Sequence, residues 1–290
     1  MGLRAKFNLA ALAAFLVGFA GAAVLLQQVF VQNAREQVLQ NARIMMSAAD
    51  AVRNYTDTEV APAIGLQSGG KFLRASVPFF AAETTFKDVQ KQFPDYTYHE
   101  PALNPTNPAD RASDWEADFI NDFRNHPGLK ELVGERQTPT GKSLSLARPI
   151  AVDSPDCLTC HSTPQNAPPA MLAMYGSANG FGWKMHEIVG AHVVSVPMAL
   201  PLAQAERTFM TFMVILLAMF VLVIVILNVL LHYMVIRPVT RVTRIANAVS
   251  LGETDVEEYE MKGRDEIAVL SASFNRMRRS LDSAMRMLEH

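Results

Sequence analysis

Two stretches without a charged side chain constrain what this 290-residue chain can become: Phe7 to Leu26 and Thr208 to Ile236. Each reaches the roughly 20 apolar residues needed to cross a bilayer as a helix. Uncharged runs of this length are rarely the buried core helix of a soluble domain. The chain is therefore expected to divide into an anchor (residues 1–31), an extramembrane domain (32–207), a second membrane helix (208–236) and a C-terminal piece (237–290). A cleaved signal peptide is the competing reading of the first run, with Arg4 and Lys6 ahead of it and the small residues Ala20-Gly21-Ala22-Ala23 within it. The apolar pattern continues through Val24, Leu25, Leu26, Val29 and Phe30, which favours a retained anchor. Arg4 and Lys6 precede the first span, and Arg237, Arg241 and Arg244 follow the second. That bias predicts two cytoplasmic termini and a domain outside a bacterial inner membrane, in the periplasm. The net charge of -2 and pI of about 6.4 give no sign of nucleic acid as a partner.

Between the spans lies Cys157-Leu158-Thr159-Cys160-His161, holding the chain's two cysteines. The pattern C-x-x-C-H is the attachment signature of c-type haem. Two thiols about one helical turn apart can each bond to a vinyl group of one porphyrin, and the following histidine then serves as proximal iron ligand. A structural zinc site needs about four ligands, and no second C-x-x-C exists. A redox dithiol remains an alternative, although that chemistry does not call for His161.

The domain around the motif reads as mixed helix and strand. Val31, Val38, Met45 and Val52 recur every seven residues, joined by Ile44, Ala48 and Tyr55, which predicts a long helix from the first span to about Glu59. Pro62, Gly65, Gly69 and Gly70 are expected to break it. Residues 71–108 read as loop-rich, with a short helix around Phe86–Phe93. Ser113 and Glu116 form a capping box for a helix that buries Trp115, Phe119, Ile120 and Phe123 and stops at Pro127-Gly128. Leu129–Thr138 and Ser143–Val152 are expected to pair as a hairpin, and β-branched Ile188–Pro197 to form a central strand. Gly141-Lys142-Ser143 ends like a phosphate-binding loop, but Arg136 stands where that motif needs glycine. Ser154-Pro155 starts a short helix carrying the cysteines.

After the second span, Val242, Ile245 and Val249 make a short seam that ends at Leu251-Gly252. Asp265-Glu266 opens a helix with apolar positions at Ile267, Leu270, Phe274, Met277, Leu281, Ala284 and Leu288. These steps alternate between three and four, the spacing of a coiled-coil seam. So narrow a stripe calls for a partner helix, most simply from a second copy, which predicts a homodimer.

Two family resemblances rest on these stretches. Residues 237–290 resemble a HAMP signalling linker, on the proline after the membrane and on Asp265-Glu266 followed by Leu270, Phe274, Asn275 and Met277. Residues 40–200 resemble a periplasmic single-haem sensor family with a PAS-like fold. The matching stretches are Arg53-Asn54-Tyr55-Thr56, Tyr96-Thr97-Tyr98, Asn104-Pro105-Thr106-Asn107-Pro108, Asp114-Trp115-Glu116-Ala117-Asp118, Cys157–His161, Gly180-Phe181-Gly182-Trp183 and Val193–Pro197. The resemblance implies an α+β, PAS-like module, with haem c on Cys157 and Cys160 and iron on His161. Some members use a cysteine as the second axial ligand, and no third cysteine exists here. Met46 and Tyr55 are candidates for that sixth position, as are His99, His126, His186 and Met174. For each of them an exposed histidine or a core methionine is the more ordinary role.

The expected function is a membrane-bound haem sensor that passes a redox or diatomic-gas signal through the HAMP segment to a separate cytoplasmic signalling protein, since no kinase, cyclase or methyl-accepting segment follows Leu288. A membrane-anchored mono-haem electron-transfer cytochrome is the alternative, and it leaves the C-terminal seam unexplained. No G-x-S-x-G elbow or H-E-x-x-H helix occurs, so no enzymatic activity is expected.

Overall fold

Four segments form an antiparallel sheet of β1 (Thr97–His99), β2 (Leu132–Thr138), β3 (Gly141–Ala151) and β4 (Ile188–Pro197), in the spatial order β1-β4-β3-β2. The computed structural model describes residues 2–68, 72–253, 259–260 and 263–288. It divides into two units, residues 27–209 and residues 1–26 with 210–290. Helix α1 (Leu3–Tyr55) runs from the second unit into the first.

In the unit of residues 27–209, period-two alternation sends successive β3 side chains to opposite faces. Leu144 and Leu146 face α1, where they join Val194, Val196, Met198, Val38, Ala42 and Met46 in one core. Ala147 faces the other way and packs with Ala191 and Val193 against Ile120 and Phe123 of α4 (Asp114–Asn125). Ile120 and Phe123 are fully buried, each contributing roughly 1.5–3 kcal/mol. The buried stripe of α1 is Ala34, Val38, Ala42, Met46 and Ala49, with steps of four and three. The sevenfold series from the sequence meets it at Val38, whereas Val31, Ile44 and Tyr55 are exposed. Alanines carry little weight in a hydrophobicity scan, yet their small size is what lets the helix lie close to the sheet. Ion pairs flank the stripe: Arg35 with Glu135 at 2.6 Å, Arg43 with Glu131 at 2.9 Å and Arg148 with Asp50 at 3.2 Å.

The predicted break at Pro62 does not occur. A π-helical turn, Thr56–Val60, follows α1, and α2 (Ala61–Ser68) follows it, with Gly65 inside. Pro62 occupies the second position of α2, where a missing N–H costs little. The expected breaks at Gly69 and Gly70 lie outside the described residues. Helix α3 (Pro78–Gln92) begins earlier than predicted, on a proline suited to a first turn. Strand β1, Thr97–His99, is shorter than strand periodicity can reveal. The capping box holds: Ser113 donates its backbone N–H (2.9 Å) and its hydroxyl (2.6 Å) to Glu116.

In the other unit, the apolar segments of α1 and α7 (Ala199–Leu230) are long and apolar enough to cross a membrane. Asn8 and Asn228 exchange side-chain amide bonds at 3.2 and 2.9 Å. Phe15 stacks on Phe220 with ring centroids 3.7 Å apart. A π-helical turn, Leu231–Ile236, leads into α8 (Arg237–Ser250). Asp265 caps α9 (Glu266–Leu288) by accepting the Ala268 N–H. Val242 and Ile245 of α8 are buried, as are Ala268, Ser271 and Asn275 of α9. Ser271 and Asn275 both donate to the Tyr259 carbonyl. The predicted seam is offset from that face: Leu270, Met277 and Leu281 stay exposed in the single chain. The side chain of Leu288 lies outside the described residues.

A buried polar cluster ties the end of α1 to the sheet. Arg53 pairs with Glu100, whose side chain is 1% exposed. Tyr98 donates its hydroxyl proton to Glu100, and the Nδ1 of His192 lies 3.2 Å from the same hydroxyl. Burial alone would raise the Glu100 carboxyl, but His192, Arg53 and Tyr98 outweigh it and hold it at about 2. A depressed carboxyl stabilises the fold above its unfolded value of about 4.5, and that stabilisation is lost as pH falls from there toward 2. Glu100→Gln is expected to cost about 2 kcal/mol near neutral pH, because the half-buried Arg53 guanidinium loses its charged partner. Its thermal melts should also lose much of the wild-type slope between those pH limits.

Candidate functional site

The two cysteines sit on α5 (Pro155–His161), a helix of seven residues started by Ser154, whose hydroxyl accepts the Asp156 N–H at 3.2 Å. Pro155 at the first helical position fixes the backbone for that turn. Residues three apart share a helix face, so Cys157 and Cys160 are presented together, both as free, half-buried thiols. Burial, with Cys157 close by, raises the Cys160 thiol above its ordinary value.

His161 closes the helix and is held on three sides. Its ring stacks on Trp183, with centroids 3.8 Å apart and planes 8° from parallel. Its Nδ1 lies 2.7 Å from the Gly180 carbonyl oxygen and 3.4 Å from the Thr106 hydroxyl. A carbonyl can only accept, so Nδ1 carries the proton and Nε2 keeps the lone pair. Burial lowers the imidazole's affinity for a second proton, against a smaller opposing effect of the Gly180 bond. A neutral ring with a fixed tautomer and a free Nε2 is the form that ligates a metal.

The strand-free segment 176–187 makes this possible. The Gly182 N–H donates to Ser162 and the Trp183 N–H to His161, so the segment folds back along the end of α5. Gly180 has φ +81°, and a Cβ there would stand 2.0 Å from the Thr106 hydroxyl and 2.8 Å from its Cα. No other residue allows the segment and the Thr106 loop to approach so closely.

The remaining sequence candidates lie in different settings. Met46 is fully buried in the core between α1 and the sheet. Tyr55 is 61% exposed at the end of α1. His99 lies between Glu116 and Glu83. His126 caps α4 from an exposed position, and Met174 is exposed on α6 (Pro169–Tyr175). His186 has φ +65° and an exposed side chain near Asp153. Sequence reasoning did not assign Gly180, Trp183 and Thr106 to the site. They lay inside stretches matched by family resemblance, and that was the available signal.

The structure thus defines a protein of two units, one an α+β domain carrying a C-x-x-C-H helix and the other containing two helix segments long and apolar enough to cross a membrane, with a helical pair. Residues 31–197 match the Tll0287-like family and residues 230–283 match the HAMP domain. The chain belongs to the Tll0287-like family and carries a HAMP domain after its second apolar helix. The crystal structure of the cyanobacterial haem protein Tll0287 is similar at 18% identity and a TM-score of 0.43, over 56% of this chain and 95% of that one. No curated protein matches.

Gly180→Ala is expected to destabilise the 27–209 unit by about 1–3 kcal/mol through the left-handed backbone alone, with the contact to Thr106 adding to that. Melting temperature checks this, and Gly182→Ala is the control: it has the same backbone sign, φ +84°, but no atom within 4 Å of the added Cβ. The expected order is Gly180→Ala well below Gly182→Ala.

Proposed function

We propose that this chain is a membrane-bound haem sensor, with a PAS-like periplasmic module and cytoplasmic termini, that signals through its HAMP segment as a homodimer to a separate cytoplasmic protein. The observation that carries this reading is the Nδ1 hydrogen bond from His161 to Gly180, which leaves Nε2 free beside two thiols on one helix face. These residues fit a single covalent haem c. Cys157 and Cys160 would each add their S–H across a porphyrin vinyl group, and His161 would hold the iron through Nε2. Bound there, the haem supplies an iron that changes oxidation state or takes up a diatomic gas.

The chain's own residues then determine how a change at His161 travels. Trp183 and Gly180 fix the ring plane, so a displaced imidazole moves the 176–187 segment and Thr106 with it. That segment runs into β4, and β4 ends at Pro197, one buried residue before α7. The buried link, Met198, donates its N–H to Lys142 of β3 at 2.8 Å. Strand β4 and the start of α7 are in this way joined through one buried, hydrogen-bonded residue. The exposed Leu270, Met277 and Leu281 provide the surface that a second copy would cover. Of the two sixth-ligand candidates on α1, Tyr55 is the better, because Met46 would have to leave the core at a cost of about 2–5 kcal/mol. We assign no enzymatic activity to the chain.

Protein produced alongside a haem-ligation system should be coloured and carry one haem by intact mass and pyridine haemochrome. Cys157→Ser with Cys160→Ser should abolish covalent haem. His161→Ala should retain the thioethers while the iron spectrum changes. Colourless wild-type protein sinks the reading. Spectra with nitric oxide or carbon monoxide in both redox states separate gas sensing from a redox-only role: a gas-insensitive iron would favour redox sensing or electron transfer.

A further inference from the structure

A second constellation of ligating side chains lies apart from the C-x-x-C-H helix. Glu83 comes from α3, His99 from β1 and Asp110 from the 3-10 turn Pro108–Asp110. One ligand atom from each lies within 4.8 Å of the others. Glu83 and Asp110 are only 6% exposed, as is Glu116 of α4 beside them. We propose that Glu83, His99 and Asp110 bind a divalent first-row cation, with zinc the best match.

The state of His99 carries the argument beyond a group of buried acids. Its Nδ1 lies 2.8 Å from Glu116, whose other oxygen accepts the N–H and hydroxyl of Ser113. A carboxylate fixed by a capping box in this way accepts the Nδ1 proton and turns Nε2 inward. A carboxylate orienting a ligating histidine through its second nitrogen is the usual outer shell of a zinc site. Nε2 then stands 4.0 Å from the nearer Glu83 oxygen, beyond a hydrogen bond. Two ligands about 2.1 Å from a shared zinc ion are separated by roughly 3.4–4.2 Å, so that spacing suits a bridging cation. The remaining contacts leave the carboxylates able to ligate. Glu83 accepts the Glu100 N–H and the ammonium of the mostly exposed Lys87, both at 3.4 Å, and Asn107 hydrogen-bonds to Asp110.

The donor set selects the metal. One imidazole and two carboxylates with a water complete a four-coordinate zinc site. Calcium would need six to eight oxygens, and magnesium prefers oxygen and retained water. The location adds a consequence. Asp110 and Thr106 belong to one loop, so a cation at Asp110 would stiffen the segment that meets His161.

The test uses untagged, full-length protein in detergent, loaded with zinc and dialysed into metal-free buffer. Elemental mass spectrometry should find one zinc per chain, and zinc-edge X-ray absorption should show one imidazole with oxygen ligands and no sulfur. His99→Ala should abolish retention, whereas His126→Ala and His186→Ala should leave it unchanged. Glu116→Gln should weaken zinc binding roughly 10–100-fold in calorimetry. Folded wild-type protein that keeps no zinc overturns the proposal, as does a sulfur-containing shell. So does a zinc content indifferent to both His99→Ala and Glu116→Gln. The absorption measurement needs no variant and no haem, so it stands if a variant fails to fold or the haem reading fails.

Discussion

One hydrogen bond, from the His161 ring to the Gly180 carbonyl, is the constraint on which the rest of the site depends. It fixes which nitrogen carries the proton, and with Trp183 stacked on the other side it fixes the plane of the ring. A histidine one residue past a helix turn would otherwise sample several rotamers and both tautomers. The bond is available because residue 180 is glycine in a left-handed conformation pressed against Thr106. A single side-chain atom at that position would move the carbonyl, and with it the orientation of the neighbouring thiols relative to the ring.

The scaffold earns its rigidity from small residues and buried charge more than from bulk. Alanines at positions 34, 42 and 49 bring α1 onto the sheet, and Ser145 and Ser195 bond to each other at 2.8 Å across adjacent strands. The loop that carries Thr106 is pinned at both ends. Ala102 donates to Asp110, Ala112 donates to Ala102, and Ala191 of β4 donates to Pro101. Gly190 makes the last approach possible, since a Cβ there would stand 2.5 Å from the Pro101 carbonyl. A short loop with its own backbone ladder can act as a fixed wall for His161.

Much of this was legible in the sequence where a signal is local. The hairpin of β2 and β3, the extent of β4, the Ser154 helix start and the capping box all depend on residues within a few positions of one another. Signals that depend on tertiary packing were not legible. The buried face of α1 is marked by alanine, which periodicity underweights, and β1 has three residues. Pro62 looks like a stop until a π turn absorbs it. In α9 the apolar series Leu270, Met277 and Leu281 lies on an exposed face of the single chain. The face packed inside the chain, Ala268, Ser271 and Asn275, is polar enough to escape a hydrophobic count. The Glu83, His99, Asp110 and Glu116 group has no motif at all, because it draws one residue from each of four elements.

That the capping box is both a local and a tertiary device explains why these parts share one architecture. Glu116 satisfies the first turn of α4 through Ser113 and, with its second oxygen, holds His99 on β1. The same residue therefore sets where α4 begins and how β1 presents its imidazole. Because Ile120 and Phe123 of α4 bury against the sheet face opposite α1, moving α4 would disturb the core and the His99 cluster together. The loop from Asn104 to Asp110 lies between this cluster and His161, touching the first through Asp110 and the second through Thr106. Any ligand or charge change at one end must be accommodated by a loop whose ends cannot slide. The two sets of side chains are thus joined by one short loop that is hydrogen-bonded at both ends.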